Sequence, residues 1–114
     1  MRQGISSQML KGILQGVILM ILSKEPEYGY SLSKKMNNYG LEDIPKGTIY
    51  PLLTAMQKRG LIEGKNKASA VGPTRKYYFI TEDGQAAKKE FINEWYQLQQ
   101  SVNLLVEEED TDEY

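Results

Sequence analysis

The sequence predicts a mainly α-helical protein of the α+β class. Three segments with apolar side chains at helical spacing come first, and two strand-like segments around a small-residue loop follow them. A last segment then repeats apolar side chains four and three residues apart. The 114 residues fit one domain. We therefore expect one domain in which a small antiparallel hairpin packs among helices.

The residue types that are missing exclude most catalytic chemistry. The chain has neither Cys nor His, which rules out disulfides, thiolate or imidazole metal sites and every Ser-His or Cys-His relay. The paired acids Glu25/Glu27 and Glu42/Asp43 lie in polar loops, without the apolar burial that favours acid–base catalysis. We expect no enzymatic activity, no cofactor and no metal site.

The first helix is predicted over about residues 6–23, with Ser6 or Ser7 as its N-cap. The apolar run 9–22 is too short to span a bilayer, which takes ~20 residues. It also lacks the basic start and the small-residue cleavage site of a signal peptide, so we expect a cytoplasmic protein without membrane contact. Because the helix is apolar nearly all round, a partner chain is expected to cover its second face.

The second helix is predicted over about residues 28–38, after Pro26. Leu32 and Met36 are four residues apart, so they share one inward face. Asn37, Asn38 and Gly40 favour an end to the helix at that point.

The third helix is predicted over roughly residues 46–59, and Gly60 ends it. Its apolar stripe consists of Ile49, Leu52, Leu53 and Met56. Proline is tolerated where a helix amide has no partner within the helix, so Pro51 predicts either an N-cap near Thr48 or a local distortion.

The hairpin is predicted from residues 61–65 and 75–81, the second segment being rich in aromatic side chains. The loop 68–74 between them consists of small residues and is expected to be mobile. Either Tyr77 with Phe79 or Tyr78 with Ile80 can face the core, since both pairs are apolar.

The last helix is predicted over residues 82–106, with Thr81 as N-cap. Five side chains form a heptad stripe along it: Phe91, Trp95, Leu98, Val102 and Leu105. At ~1.5 Å per residue the helix is about 37 Å long, more than a compact domain can cover, so the stripe is expected to pack on a second copy. Six of the eight residues in 107–114 are acids, which predicts a disordered tail beyond a fraying helix end.

The charge of the chain is unevenly distributed. The net charge is −1, yet residues 46–89 hold nine Lys or Arg against three acids. Such a basic region is typical of a protein that binds a polyanion. The order of elements over residues 1–81 matches a winged helix-turn-helix, in which the third helix enters the major groove of DNA and the hairpin contacts its flanks.

Several ordered motifs strengthen this interpretation. YGYSL, KGTIYPLLTAMQKRGLIEG and GPTRKYYFITEDG, followed by EFINEWYQL, resemble the PadR family of bacterial transcriptional regulators over about residues 9–105. One long C-terminal helix at 82–106 resembles the compact members of that family. The resemblance implies a homodimer formed by the first and last helices and repression from operators with two-fold symmetry. It also implies, for some members, release by phenolic or flat aromatic compounds.

The candidate DNA-binding residues lie on the second and third helices and beside the tip of the hairpin. Lys46, Thr48 and Tyr50 match the family segment at the start of the recognition helix, while Thr54, Gln57 and Lys58 are placed to approach base edges. The full set is Tyr30, Lys34, Lys46, Thr48, Tyr50, Thr54, Gln57, Lys58, Thr74, Arg75 and Lys76. Alternatively, Tyr50 packs between helices, Tyr30 belongs to the core and the hairpin charges are merely solvated.

A ligand site is a weaker expectation that rests on Trp95. In family members that bind drugs, the matching Trp and its dimer mate sandwich planar compounds. The corresponding candidates here are Met9, Gly12, Ile13, Gly16, Ile92, Trp95 and Gln99. Gly12 and Gly16 either open a cavity or let two helices approach closely, and a Trp at a heptad position is often simply interface core.

Two other functions remain open from the sequence. One is a winged-helix module that binds an acidic protein and no DNA, and the other is a dimer that sequesters hydrophobic compounds without binding an operator. Steep salt dependence and a footprint on DNA distinguish the DNA-binding function from both.

Overall fold

A computed structural model describes residues 5–68 and 72–112, without the side chains of Ser7 and of 110–112. It confirms the mainly helical class with a small antiparallel sheet and a long last helix. The elements in chain order are α1 (Ser7–Leu10), α2 (Leu14–Leu22), β1 (Glu27–Tyr28), α3 (Gly29–Asn38), α4 (Lys46–Lys58), β2 (Ile62–Lys67), β3 (Arg75–Ile80) and α5 (Glu82–Asp112).

The core lies where α2, α3 and α4 meet, with the sheet closing one side. The most completely buried side chains are Leu14, Ile18, Leu19, Leu32, Met36, Ile49, Leu53, Met56 and Ile62. The inward faces predicted for the second and third helices are therefore confirmed. No helix in the described ranges is both long enough and apolar enough to cross a membrane.

The first segment forms two helices where one was predicted. Ser6 caps α1, since its Oγ accepts a hydrogen bond from the Met9 amide (3.2 Å). The chain then makes a turn that contains Gly12, and α2 begins at Leu14. Glycine is about 1 kcal/mol worse than alanine inside a helix, which explains why the apolar pattern continues while the helix does not.

Helix α4 begins at Lys46, within the predicted range 46–59, so the alternative of an N-cap near Thr48 is wrong. Its N-cap is Pro45, whose carbonyl accepts the amides of Thr48 (2.9 Å) and Ile49 (3.2 Å). Pro51 thus lies inside the helix, as its sixth residue. The fixed φ of Pro45 (−62°) and these two hydrogen bonds start the helix before Pro51. The hydrogen bond that Pro51 cannot donate therefore does not determine where α4 begins.

The predicted C-terminus of α4 is confirmed and has a specific geometry. Gly60 adopts a φ of +78°, the Leu61 amide reaches the Met56 carbonyl (3.0 Å) and the Gly60 amide reaches Gln57 (3.0 Å). This is a Schellman motif, which satisfies two carbonyls of the last turn. It turns the chain sharply from α4 into strand β2.

The sheet has three strands, one more than predicted. Its order is β1-β3-β2 and both pairings are antiparallel, with Glu27 opposite Tyr78 and Glu63 opposite Phe79. Tyr78 is buried (7% exposed) and Ile80 packs against the core, which settles the orientation that the sequence left open. The mobility predicted for loop 68–74 falls largely on 69–71, which lie outside the described residues.

Helix α5 is longer than predicted. Thr81 is its N-cap as expected, since its Oγ1 accepts the Gly84 amide (3.0 Å). The helix continues for 31 residues to Asp112, so the disorder predicted from 107 onward is wrong through 112, and 113–114 lie outside the described residues. The helix dipole disfavours terminal acids by only ~0.3–1 kcal/mol, and Glu is itself a good helix former.

Candidate nucleic-acid interface

The exposed side of α4 carries the side chains expected to meet DNA. Lys46, Tyr50, Thr54 and Lys58 are exposed, whereas Thr48 and Gln57 are partly buried. The Thr54 hydroxyl donates a hydrogen bond to the Tyr50 carbonyl (3.1 Å), one turn earlier. That bond orients the hydroxyl oxygen and leaves its lone pairs available to an outside donor.

Tyr50 joins α4 to the start of α3. Its ring and hydroxyl lie directly over Gly29, where a Cβ would overlap the hydroxyl. Tyr50 as a whole still keeps 44% of its surface exposed. Tyr50 therefore packs between α4 and α3 while staying partly exposed, and its contact with DNA stays a prediction.

The first turn of α3 adds an aromatic and a basic side chain. The Tyr28 amide donates to Ser31 Oγ (3.0 Å), which fixes the start of the helix. Tyr30 is exposed and does not belong to the core, and Lys34 Nζ lies 5.9 Å from the centre of its ring. Tyr30 directly follows Gly29, the residue that Tyr50 covers.

The hairpin brings Lys76 to α4. The Lys76 side chain crosses the flat surface left by Gly64, and a Cβ at Gly64 would lie 3.3 Å from Gln57 Oε1. Gln57 on α4 and Lys76 on β3 are consequently neighbours. The sequence analysis assigned Gln57 to the third helix and Lys76 to the hairpin, and the sheet register brings the two side chains together.

Arg75 lies on the other face of the sheet. Its guanidinium stands 4.5 Å from the centre of the Tyr28 ring. Because side chains alternate along a strand, Arg75 and Lys76 point to opposite faces. Thr74 precedes them and is exposed. The predicted pair of hairpin cations is therefore divided between two surfaces.

Four side chains on the same face as Arg75 were not among the predicted site residues: Lys65, Lys67, Tyr77 and Phe79. In β2, the Lys65 ammonium lies 5.3 Å from the ring centre of Phe79, and the Lys67 ammonium lies 5.4 Å from that of Tyr77 and 5.3 Å from that of Phe79. The available signal was the alternation Glu63, Lys65, Lys67, which places all three on one face. The hairpin register was needed to bring them over the aromatic residues.

The carboxylate of Glu27, in the edge strand β1, is neutralised by a lysine of the same fold. Glu27 in β1 is buried, and Lys35 of α3 contacts both it and Glu25. These hydrogen bonds raise the pKa of Lys35 above its ordinary 10.5. Burial likewise raises the pKa of the Tyr78 hydroxyl. The sheet is thereby tied to α3 without presenting the Glu27 charge to a polyanion.

The structure brings together some of the predicted ligand residues. Ile13, Ile92 and Trp95 line an open cavity of about 380 Å³, together with Val17, Met20, Phe91 and Tyr96. Met9 and Gln99 are exposed and do not line it, Gly12 lies in the turn before α2, and Gly16 is covered by the ring of Phe91. Gly16 therefore permits close helix packing and opens no cavity, and the two glycines share no helix face.

The predicted stripe on α5 is largely uncovered in one protomer. Phe91 is partly buried against α2, while Trp95, Leu98, Val102 and Leu105 keep between 40% and 63% of their surface exposed. At ~1.5 Å per residue the helix measures about 46 Å. Its second half therefore extends past the rest of the chain with an apolar face.

Comparison with known proteins identifies relatives of this architecture. The model of the transcriptional regulator PadR-like family matches residues 18–90. The chain is 52% identical to a PadR-like transcriptional regulator from Bacillus cereus, with a TM-score of 0.79 over 88% of this chain and 97% of that one. It is 36% identical to a PadR-like transcription factor from Bacteroides fragilis, with a TM-score of 0.73 over 87% and 95% of the two chains.

Proposed function

The chain belongs to the PadR-like family of transcriptional regulators, and on that basis we propose that it is a homodimeric repressor of a two-fold-symmetric operator. Regulation of transcription through DNA follows from the family itself. The dimer, the repression and the symmetry of the operator are the proposed part.

One observation carries the proposal: α4, the start of α3 and the hairpin share one surface of hydroxyl groups and cations. Tyr50 contacts Gly29, and Gln57 is close to Gly64 and Lys76. Hydroxyl, amide and ammonium groups are the donors that proteins use on phosphates and base edges. In the proposed complex, Thr54, Gln57 and Lys58 approach the major groove, and Lys46, Thr48 and Tyr50 hold the backbone at the start of α4.

The apolar half of α5 supports the dimer. Leu98 and Leu105 are more than half exposed in one protomer, and no carboxylate interrupts the stripe before residue 107. A soluble protein seldom leaves such a continuous patch uncovered. Isologous pairing of this stripe sets the two recognition helices in a two-fold arrangement, which a palindromic operator matches.

We further propose that a planar aromatic compound releases the protein from DNA. The cavity beside Trp95 is apolar, and Ile13 and Ile92 line it together with that ring. It lies between α2 and α5, the helices that form the proposed dimer. A ligand there changes the angle between the two protomers, and thus the separation of the recognition helices.

A gel shift with the DNA upstream of the protein's own gene tests the function. We expect a shift that weakens steeply between 50 and 200 mM salt and a footprint with half-sites about one helical turn apart. A planar aromatic dye should quench Trp95 fluorescence and release the DNA. Salt-insensitive binding without a footprint would contradict the proposal and favour a module that binds an acidic protein. Quenching of Trp95 without any DNA shift would favour a drug-sequestering dimer.

A further inference from the structure

A second open cavity, of about 410 Å³, lies where the C-terminal end of α2 meets the loop after α3 and the N-terminal part of α5. We call it the Lys24 cavity. The lining residues that it does not share with the cavity beside Trp95 are Ile21, Ser23, Lys24, Tyr39, Leu41 and Lys88. We propose that it binds a free straight-chain alkyl carboxylate, that is, a fatty acid of medium length. This is a binding site apart from the DNA surface, so the inference goes beyond the proposed function.

The walls of the Lys24 cavity are apolar. Ile21 is buried, and Leu41 packs against the core from the loop. The side toward the other cavity is closed by Val17, Met20 and Ile92. The Ser23 hydroxyl is turned back onto the Met20 carbonyl (2.7 Å), so it offers little to a ligand. Small-molecule sites typically have such walls and a volume of ~300–1,000 Å³. The walls therefore suit an alkyl chain, which needs no hydrogen-bond partners.

The charged groups at this cavity are all positive. Lys24 and Lys88 line it, and none of its described lining residues is an acid. Within the described part of the chain no ion pair involves either lysine. Glu25, which follows Lys24 in the sequence, pairs with Lys35 instead. An apolar cavity with two uncompensated cations is complementary to a molecule that has an apolar body and one negative group.

Tyr39 holds the Lys24 ammonium at the edge of the cavity. Lys24 Nζ donates a hydrogen bond to the Tyr39 hydroxyl (3.2 Å) and lies 5.7 Å from the centre of the ring. Neither contact neutralises the charge, and an ammonium has three protons to donate. The same two side chains border a more polar pocket of about 230 Å³, which Lys35 and Asn38 also line. A carboxylate at Lys24 therefore lies at the boundary between an apolar cavity and a polar pocket.

The apolar stripe proposed to meet a second copy lies farther along α5 than this cavity. The uncovered part of the stripe runs from Trp95 to Leu105, whereas Lys88 and Ile92 are the residues of α5 that line the cavity. An apolar side chain of a second copy would bury Lys24 and Lys88 without a counter-charge, which is costly. A fatty acid supplies both the apolar chain and the counter-charge, so it fits the cavity better.

The test measures binding to the full chain by isothermal titration calorimetry, without DNA, so its result does not depend on the proposed function. The probes are octanoate, decanoate and dodecanoate below their micelle concentrations. Decanol and decyltrimethylammonium serve as the neutral and the cationic comparison. K24M/K88M removes both charges and keeps long apolar side chains. The control K11M/K89M makes the same change at two exposed lysines that do not line the cavity.

We expect the wild type to bind decanoate more tightly than decanol and decyltrimethylammonium. Its affinity should rise about fourfold for each methylene added from octanoate to dodecanoate, because each one is buried against apolar walls. K24M/K88M should bind decanoate about tenfold more weakly and decanol as the wild type does. K11M/K89M should match the wild type with every probe. W95L should also match it with decanoate, since Trp95 lines only the adjacent cavity.

Four results would overturn the inference. Decanoate that does not bind, or binds no better than decanol, would exclude a carboxylate as the ligand. Equal affinities of the two lysine double variants would remove Lys24 and Lys88 from the site. Loss of decanoate binding in W95L would assign the ligand to the adjacent cavity. Binding to L98D/V102D but not to the wild type would show that a second copy fills the cavity. Thermal unfolding followed by circular dichroism verifies that the variants fold.

Discussion

The ring of Phe91 lies directly over Gly16, so α5 crosses α2 at a point where α2 has no side chain. A Cβ at this position would overlap the ring atoms nearest the Phe91 backbone. The contact fixes where the long helix leaves the winged domain. It therefore determines the direction in which the apolar stripe of α5 is presented.

Gly16→Ala is expected to destabilise the protein by about 1–3 kcal/mol, because the added methyl overpacks a filled contact. Gly12→Ala is the control, since a Cβ there has open space and its φ is not positive. We expect this control to be neutral or up to ~1 kcal/mol more stable. Urea unfolding gives both free energies. Equal stability of the two variants would show that Phe91 does not press on Gly16.

Replacing Leu98 and Val102 together with Asp is expected to produce monomers that bind the operator poorly. Both side chains are about half exposed in one protomer, and two buried charges would oppose pairing of the stripe. The control N93D/Q100D places two acids on a different side of the same helix. Sedimentation velocity measures the association state. A dimer that survives L98D/V102D would contradict the assignment of the interface.

The sequence predicted those parts of the fold that depend on local patterns. Spacing placed Leu32 and Met36 in the core, and Thr81 marked the start of α5. Strand β1 has two residues and thus no periodicity, so its existence depends on pairing with β3. Lys65 and Lys67 were missed for the same reason, since only the hairpin register sets them over aromatic rings.

Lys35→Met is expected to destabilise the fold more than Lys34→Met. Lys35 neutralises the buried Glu27, whose side chain is 5% exposed, whereas Lys34 is exposed beside Tyr30. The double variant E27Q/K35M should recover part of the loss, because a glutamine needs no counter-charge. Chemical denaturation of the wild type, E27Q, K35M and E27Q/K35M completes a double-mutant cycle. Absence of any recovery would show that the two side chains are not coupled.

The contribution of Lys35 should also depend on pH. Its pKa is raised above 10.5 in the folded protein, so its stabilising effect is complete below the unfolded pKa and is lost as pH rises through the folded value. The stability difference between wild type and Lys35→Met should therefore be constant from about pH 6 to pH 9 and shrink above pH 10. A difference that grows over this alkaline range would contradict the assigned sign.

Gly60→Ala is expected to destabilise the protein by roughly 1–2 kcal/mol, although a methyl group has open space there. The cost comes from the φ of +78°, which an L-residue seldom adopts. Gly47→Ala isolates the effect, since it also has open space but lies inside α4 without a positive φ. We expect that variant to be unchanged or more stable by up to ~1 kcal/mol. Thermal unfolding of both variants measures the difference.

Variants of α4 and of the hairpin should affect DNA binding in different ways. T54A and K58A remove groups placed to approach base edges, so each is expected to cost about 1–3 kcal/mol on the operator and little on unrelated DNA. R75A/K76A removes two cations beside the hairpin tip and should weaken all sequences alike, with a smaller salt slope. Competition between operator and random duplexes measures the ratio of the affinity for the operator to the affinity for unrelated DNA. If R75A/K76A changed the ratio while T54A and K58A left it constant, sequence reading would have to be reassigned from α4 to the hairpin.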